Sequence, residues 1–253
     1  MLNYLRQTIE RDGCPNSKFW KVLIYIRNFI WSITCKHFGI LIQSFSDEIV
    51  GNDKWVVHIF KGREGGFFIE AGAGDGILAS NTYALELYYG WQGICVEPDD
   101  FLFRKLEINR KCMCANCCLG DKKGVVMYIE CQNGYGGIKD YLNVKKGEFW
   151  KAGVLKQKLL VPLQDLLRER NAPRVIDYLS LDTEGSEYII LKDFPFDQYK
   201  ILAISLEDGA RKCNGLLYSK GYIRVKNPYN TKALWEEYFV HPDLVSNRII
   251  PYK

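Results

Sequence analysis

A glycine-rich segment flanked by carboxylates is the first feature of the sequence that could do chemistry. Glu70, Gly72, Gly74 and Asp75 belong to the stretch EAGAGDG, which directly follows the short apolar run 66–69. Glycines let the chain turn tightly and let a ligand approach the backbone closely. A dinucleotide site would carry the spacing GxGxxG, with a pyrophosphate at the helix N-terminus. Flanking acids instead suit a cationic ligand without phosphate, such as S-adenosylmethionine, although a plain strand-to-helix turn would use the same glycines.

A second acid ends the next apolar run. Glu97 and Pro98 directly follow the run 93–96. An acid about 20–30 residues after a glycine-rich turn is positioned to accept hydrogen bonds from both ribose hydroxyls. A solvated glutamate at the end of a strand is the simpler alternative. Together, the two features favour nucleoside binding more than either does alone.

Further acids end two later apolar runs. Asp182 and Glu184 follow one run, and Glu207 and Asp208 follow the next. In an open α/β sheet these positions meet at one edge, so Asp182, Glu207 and Asp208 could share a divalent metal such as Mg²⁺. Alternatively, one acid is the general base for a substrate hydroxyl, and Glu184 stabilises a helix N-terminus. His241 ends the last apolar run and is a further candidate base. The predicted catalytic side chains are therefore Asp182, Glu184 and His241.

Strand and helix patterns alternate from residue 66 onward. This alternation predicts an α/β fold with a mostly parallel sheet and helices on both faces. Residues 46–253 are predicted to form this domain, and residues 1–45 an N-terminal helical extension. The segment Cys112–Leu119 is predicted to be one strand. The lysine-rich stretch that ends near Lys158 is predicted to be a mobile loop over the site.

The ordered set of motifs resembles the FkbM-type S-adenosylmethionine-dependent methyltransferases over about residues 46–245. The resemblance is carried by FIEAGAGDG at 68–76, SNT at 80–82, GWQG at 90–93, VEP at 96–98, NR at 109–110, PL at 162–163, LDTEGSE at 181–187, GY at 221–222 and YFVH at 238–241.

The resemblance implies a Rossmann-like sheet of seven strands with one antiparallel edge strand, and O-methylation of a sugar or other small-molecule hydroxyl. It implies that Glu97 holds the ribose, that Asn81 supports the loop, and that Asp182 faces the methyl group or a metal. Many relatives carry acid, variable residue, Asn where this chain has Glu207, Asp208 and Gly209. The cofactor contacts expected from the resemblance are Glu70, Gly72, Gly74, Asp75, Ser80, Asn81, Glu97, Pro98, Leu119 and Asp182.

The charge and cysteine content narrow the function classes. Of the net charge of +4, residues 1–45 carry six basic and two acidic side chains, so the remainder is close to neutral. A uniformly basic surface for nucleic acid is therefore not expected. The odd number of cysteines, 9, and their apolar surroundings indicate free thiols in a reducing, cytoplasmic compartment. The early apolar stretches are interrupted by charges and do not predict a secretory signal.

Residues 19–33 place apolar side chains at helical spacing. The run is too short and too charged to cross a bilayer. It is predicted to pack on the catalytic domain or to form a dimer contact, with a substrate lid or a membrane-surface contact through Trp20 and Trp31 as alternatives.

Two rival functions remain at this stage. One is an adaptor that keeps the fold and the cofactor site but has lost catalytic activity. The other is an NAD(P)-dependent oxidoreductase, which the acid-flanked loop and its missing third glycine disfavour.

Overall fold

The computed structural model describes residues 43–131, 135–142, 153–207 and 210–246 of the chain. Helices and strands alternate through these residues. Their bounds are α1 Asn52–Ile59, β1 Phe67–Ala71, α2 Tyr83–Tyr89, β2 Gln92–Val96, α3 Asp100–Asn109, β3 Met113–Ala115, β4 Cys118–Gly120, β5 Gly124–Glu130, β6 Gly137–Ile138, β7 Val154–Pro162, α4 Leu163–Glu169, β8 Val175–Leu181, α5 Glu187–Leu191, β9 Lys200–Glu207, α6 Ala210–Ser219, β10 Ile223–Val225, β11 Glu236–Val240 and α7 Pro242–Ser246.

The main sheet contains seven strands in the order β10-β11-β9-β8-β1-β2-β3. The five strands from β9 to β3 in this order pair in parallel. β11 runs antiparallel to both of its neighbours, β9 and β10. The predicted α/β fold with one antiparallel strand is therefore confirmed. That strand lies one place inside the edge, because β10 pairs with its outer side.

Both faces of the main sheet are buried, because alternate side chains of a strand point to opposite sides. Ile69 and Leu179 pack on one face, in a cluster with side chains of α4, α5 and α6. Phe68 and Tyr178 pack on the other face, in a cluster with side chains of α1, α2 and α3. Apolar strands covered on both faces are typical of parallel sheets. The ends of the strands are therefore the places left for ligand-binding groups.

Local signals set the helices that follow β1 and β2. α2 ends at Gly90, which adopts the left-handed conformation with a φ of 62° that glycine tolerates. α3 begins after Asp99, whose carboxylate accepts hydrogen bonds from the N–H groups of Phe101 and Leu102. These ends return the chain to the sheet so that β1 and β2 lie side by side.

A second sheet has four strands in the order β4-β7-β5-β6, and the sequence did not predict it. β3 and β4 belong to different sheets, so the single strand predicted over Cys112–Leu119 is two strands. The end of the stretch predicted as a mobile loop is β7, which pairs along the whole of β5. Residues 132–134 and 143–152 lie outside the described residues.

In the described part of the chain, no helix is long and apolar enough to cross a membrane. The helix predicted over 19–33 lies outside that part, so its role stays a prediction. α1 was not predicted; it buries Trp55 completely against the rings of Tyr178 and Tyr238.

Candidate active site

A cavity lies at the carboxyl edge of the main sheet, under the small four-stranded sheet. Five of the predicted site residues contribute to it: Gly72, Glu97, Pro98, Leu119 and Asp182. The full set of described lining residues is Gly72, Glu97, Pro98, Cys118, Leu119, Tyr128, Gly136, Ile138, Asp182, Thr183 and Ser186.

Gly72 is required by the close approach of two backbone segments. Its φ is 82°, in the left-handed region, and a Cβ at this position would lie 1.9 Å from the carbonyl oxygen of Asp182. Gly74 also has a positive φ, of 56°, but a Cβ there would meet no atom of the described residues within 4 Å. Gly72 thus allows the ends of β1 and β8 to approach each other closely, whereas Gly74 borders open space.

The carboxylate of Glu70 points into the protein rather than into the cavity. It accepts hydrogen bonds from the backbone N–H of Asn81 at 2.5 Å and from the hydroxyls of Ser80 and Thr82 at 3.0 and 2.6 Å. The guanidinium of Arg110 lies 3.3 Å from the same group. Both oxygens are therefore engaged, and Glu70 is not among the described lining residues. The structure therefore places Glu70 beneath the loop, and its contact with a ligand stays a prediction.

Ser80 and Asn81 lie beneath the loop as well. The side-chain oxygen of Asn81 accepts a hydrogen bond from Ser46 at 2.8 Å, and its amide donates to the hydroxyl of Ser180 at 2.9 Å. Asn81 therefore ties the loop both to β8 and to the segment that precedes α1. This arrangement is the supporting role that the resemblance implies for Asn81, and direct contact of Ser80 or Asn81 with a ligand stays a prediction.

Asp75 shapes the turn after the glycines. Its Oδ1 accepts hydrogen bonds from the N–H groups of Ile77 at 2.9 Å and Leu78 at 2.8 Å. Its carbonyl oxygen accepts a hydrogen bond from the side chain of Asn109 at 2.8 Å. The side chain of Asp75 is partly exposed, and its contact with a ligand stays a prediction.

Glu97 lies at the end of β2, in the wall of the cavity, and is 4% exposed. One carboxylate oxygen accepts a hydrogen bond from Gly74 N–H and the other from Asp99 N–H, both at 2.8 Å. Burial raises the pKa of Glu97 to about 8, although these hydrogen bonds oppose the shift. Each oxygen keeps a lone pair, so the group can still accept hydrogen bonds from ligand hydroxyls.

Asp182, Glu184 and Glu207, termed here the acid cluster, each place a carboxylate oxygen within 4.8 Å of the other two. Asp182 directly follows β8, Glu207 ends the adjacent parallel strand β9, and the two carboxyl groups share a hydrogen bond. Burial, this hydrogen bond and the neighbouring negative charges raise the pKa of Asp182 well above its usual range. Carboxylates at such distances need a shared proton or a cation between them.

Glu184 is the third described member of the acid cluster, whereas Asp208, which was predicted as a metal ligand with Asp182 and Glu207, lies outside the described residues. Its backbone has a φ of 55°, an uncommon value for a residue with a side chain, and it is 8% exposed. Strain of this kind persists only where the surrounding structure enforces it. The turn after β8 is thus held in a shape that keeps Glu184 beside Asp182.

Sequence reasoning missed Glu236, which stands opposite Glu207 in the pairing of β11 with β9. Burial and then the charge of Glu207 raise the pKa of Glu236 to about 8. The sequence did carry a signal, because two glutamates precede the last apolar run. The antiparallel direction of β11 was needed to place the start of this strand, rather than its end, at the site.

The sequence profile described as the methyltransferase FkbM domain matches residues 70–223, well over half of the chain. The chain belongs to the FkbM methyltransferase family. The matched range contains Glu70, Glu97, Asp182 and Glu207, so it covers the acids at the ends of β1, β2, β8 and β9. A search among curated proteins finds no significant match.

Several solved structures are similar in fold to this FkbM chain. The methyltransferase FkbM from Methylobacillus flagellatus KT is 12% identical, with a TM-score of 0.45 over 85% of this chain and 59% of that one. The human methyltransferase 10 domain containing protein is 13% identical, with a TM-score of 0.35 over 84% and 81%. The N-terminal domain of human METTL16 in complex with SAH is 13% identical, with a TM-score of 0.39 over 82% and 78%. The FkbM chain thus spans less than two thirds of the first of these proteins. The main sheet has the seven strands, mostly parallel with one antiparallel strand, that the resemblance to the FkbM methyltransferases implies.

His241 lies at the opposite edge of the sheet of this FkbM chain, so its prediction as a base is wrong. Its backbone N–H donates to the carbonyl of Leu202, near the start of β9. Because β11 is antiparallel to β9, its last residues lie beside the first residues of β9. At about 3.4 Å per residue, the length of β11 separates His241 from Glu236 by more than ~14 Å.

Four charged side chains fasten the small sheet over the cavity, and the sequence analysis did not single them out. Lys158, which is 6% exposed, pairs with Asp100 and with Glu130. Lys156 pairs with the same two acids at 3.2 and 2.6 Å. The lysines lower the pKa values of Asp100 and Glu130, the latter against its burial. The network joins β5 and β7 to the start of α3, just beyond Glu97.

Proposed function

We propose that this FkbM chain binds S-adenosylmethionine in the cavity and transfers its methyl group to a hydroxyl oxygen of a sugar, glycan or other small molecule. The observation that carries the proposal is the presence of Glu97 and Asp182 in one cavity. Glu97 directly follows β2 and offers hydrogen-bond acceptors, whereas Asp182 directly follows β8 and belongs to the acid cluster. Glu97 suits the hydroxyls of a nucleoside, and Asp182 suits a group that must lose a proton.

The charge of the cavity supports this cofactor over a dinucleotide. Among the described lining residues, Glu97 and Asp182 are acidic and none is a lysine or arginine. A cation bound beside these carboxyl groups favours their ionised form, and opposite charges attract strongly where water is partly excluded. Such a lining favours the sulfonium and ammonium groups of S-adenosylmethionine and disfavours a pyrophosphate. The oxidoreductase alternative loses support for the same reason.

The glycine loop supports the same ligand. The backbone at Gly74 borders open space, and its N–H donates a hydrogen bond to Glu97. This bond links the loop to Glu97, the proposed acceptor for the ribose hydroxyls. Glu97, Pro98 and Leu119 would hold the nucleoside from the β2 side. Gly72 would bring the backbone against the methionine part, because no side chain fits at that position.

S-adenosylmethionine supplies an activated methyl group when it is bound. The chain has then to orient the acceptor hydroxyl and to take its proton. Asp182 and Glu207 share a hydrogen bond, and the pKa of Asp182 is raised by burial. A pair that holds one proton between two carboxyl groups carries one negative charge, which can accept the hydroxyl proton at neutral pH.

A divalent cation such as Mg²⁺ is the alternative means of balancing the charge of the acid cluster. The proposal rests on the distance of 4.8 Å or less among the oxygens of Asp182, Glu184 and Glu207. Carboxylate oxygens are the ligands that Mg²⁺ prefers. These residues would hold the cation, and it would lower the pKa of a bound hydroxyl.

Calorimetric titration of the purified chain with S-adenosylmethionine tests the cofactor, first with magnesium and then with a chelator. Saturable binding near one site per chain is the expected result. A magnesium effect on affinity would favour the cation over the shared proton. Failure of the folded chain to bind in either condition would refute the proposed cofactor.

Incubation with methyl-labelled S-adenosylmethionine and a panel of sugars and other polyols tests the transfer. Label on a hydroxyl oxygen of an acceptor is the expected result. Binding of the cofactor without transfer to any acceptor would favour the adaptor function, in which the fold and the cofactor site are kept without turnover.

A further inference from the structure

We propose that Cys95 and Cys112 form a redox-sensitive pair, which a peroxide converts into a disulfide beneath the glycine-rich loop that follows β1. Their Sγ atoms lie 3.5 Å apart, and both residues are free thiols. A disulfide needs about 2.05 Å between the sulfur atoms, so an approach of roughly 1.5 Å is required. Cys112 lies in the bend between α3 and β3, outside the regular strand, where the backbone can adjust.

The two thiols differ in access. Cys95 is completely buried in β2, and its Sγ lies 3.7 Å from a carboxylate oxygen of Glu70. Cys112 is partly exposed. A peroxide in solution therefore reaches Cys112 first, and Cys95 is positioned to react with the product.

The surroundings of Cys112 favour its thiolate form. Hydrogen bonds with Cys114 and Cys95, and then the positive charge of Arg110, lower its pKa to about 3. Burial raises the pKa of Cys95 well above its usual range, so this thiol keeps its proton. Because the thiolate is the nucleophile, Cys112 is the member of the pair that reacts with the oxidant.

The reaction balances in two steps. The Cys112 thiolate attacks a peroxide oxygen, the O–O bond breaks, and a sulfenic acid and hydroxide form. The sulfur of Cys95 then attacks the sulfenic sulfur, the S–O bond breaks, and the thiol proton leaves with the oxygen as water. Two thiols lose two electrons in total, and hydrogen peroxide is reduced to water.

The position of the pair connects it to the glycine-rich loop that follows β1. Glu70, the neighbour of Cys95, accepts hydrogen bonds from residues 80–82 and contacts Arg110. Oxidation replaces the Cys95 thiol beside this carboxylate with a disulfide sulfur. The proposal rests on this geometry and stands independently of the methyl-transfer proposal.

Mass spectrometry of the reduced full chain treated with hydrogen peroxide tests the pair. After the free thiols are blocked, trypsin releases Cys95 in peptide 64–104, where it is the single cysteine, and Cys112 in peptide 112–122. We expect a cross-linked species that joins these two peptides and that disappears when the sample is reduced.

Variants assign the bond, because peptide 112–122 holds four cysteines. Cys112→Ser should abolish the cross-link, with Cys112→Ala as a second variant if the first does not fold. Cys114→Ser, a neighbouring and also partly exposed position, should retain it. A cross-link that persists without Cys112, or a wild-type chain that forms none, would overturn the proposal.

Discussion

The guanidinium of Arg110 lies 3.3 Å from the carboxylate of Glu70, and the two side chains are 0% and 3% exposed. The same guanidinium contacts Glu86 at 2.9 Å and donates to the hydroxyl of Thr82 at 2.9 Å. One side chain at the end of α3 thus ties β1, α2 and the loop between them. The Glu70 that opens the glycine motif therefore acts within the protein, as the anchor of its loop.

Arg110→Ala should lower the free energy of unfolding by about 3–5 kcal/mol, because it leaves buried carboxylates without their counter-charge. Arg110→Lys should recover part of this loss, since it restores the charge but not the planar fork of donors. Urea denaturation measures both. Arg104→Ala, an exposed position on the same helix, is the control and should change the free energy by less than about 0.5 kcal/mol. Equal midpoints for the Arg110 and Arg104 variants would contradict this assignment.

Gly72→Ala and Gly74→Ala should separate folding from ligand binding. The first places a Cβ 1.9 Å from the Asp182 carbonyl, so the ends of β1 and β8 must move apart and the chain should lose stability by several kcal/mol. The second meets open space and strains only the backbone, at about 1–2 kcal/mol. Gly74→Ala should therefore fold but bind S-adenosylmethionine more weakly. Thermal melts and calorimetry check the pair, and unimpaired binding by Gly74→Ala would place the ligand elsewhere.

Glu97→Ala should weaken binding of S-adenosylmethionine by about 10–100-fold, since leaving a buried hydrogen-bonding group of the ligand without its partner costs roughly 1–3 kcal/mol. Calorimetric titration measures the change. Glu107→Ala, on the exposed side of α3, removes the same side chain away from the cavity and should leave affinity unchanged. If the two variants bind equally well, Glu97 does not contact the ribose.

Asp182→Asn should abolish methyl transfer while largely sparing cofactor affinity, because an amide cannot accept the hydroxyl proton. Single-turnover transfer and calorimetry give the two quantities. Asp177→Asn, on the same strand, is the matched control: its carboxylate contacts Arg63 and Phe67 N–H, and the variant should stay active. An active Asp182→Asn chain would remove this residue from the proposed mechanism.

Glu236→Gln should make stability less dependent on pH. The pKa of Glu236 rises from 4.5 to about 8, first by burial and then by the charge of Glu207. Between these pH values the folded chain therefore keeps a proton on Glu236 that the unfolded chain has released. The stability that this proton contributes is complete below pH 4.5 and is lost as the pH rises through about 8. The wild-type free energy of unfolding should fall across this window, and the variant should fall less. Denaturation at pH 5 and pH 9 measures how the free energy of unfolding changes with pH. Glu237→Gln, which changes the neighbouring glutamate that pairs with Arg224, is the control.

The sequence by itself determined the fold class and the acids at the ends of β1, β2, β8 and β9. These are local signals: an apolar run, a change to glycine or an acid, and then a helical pattern. Each depends on neighbours along the chain, so no tertiary contact was needed to recognise it. Glu97 and Asp182 were found in this way, and the structure places both in one cavity.

Only the tertiary structure decided which of these acids face the cavity. Glu70 and Asn81 turn inward because partners far along the chain, Arg110 and Ser180, complete their hydrogen bonds. The direction of β11 brings Glu236 to the site and sends His241 to the opposite edge. Strand direction, and the partners that satisfy a buried charge, depend on contacts between distant segments. The spacing of residues along the chain carries no record of those contacts.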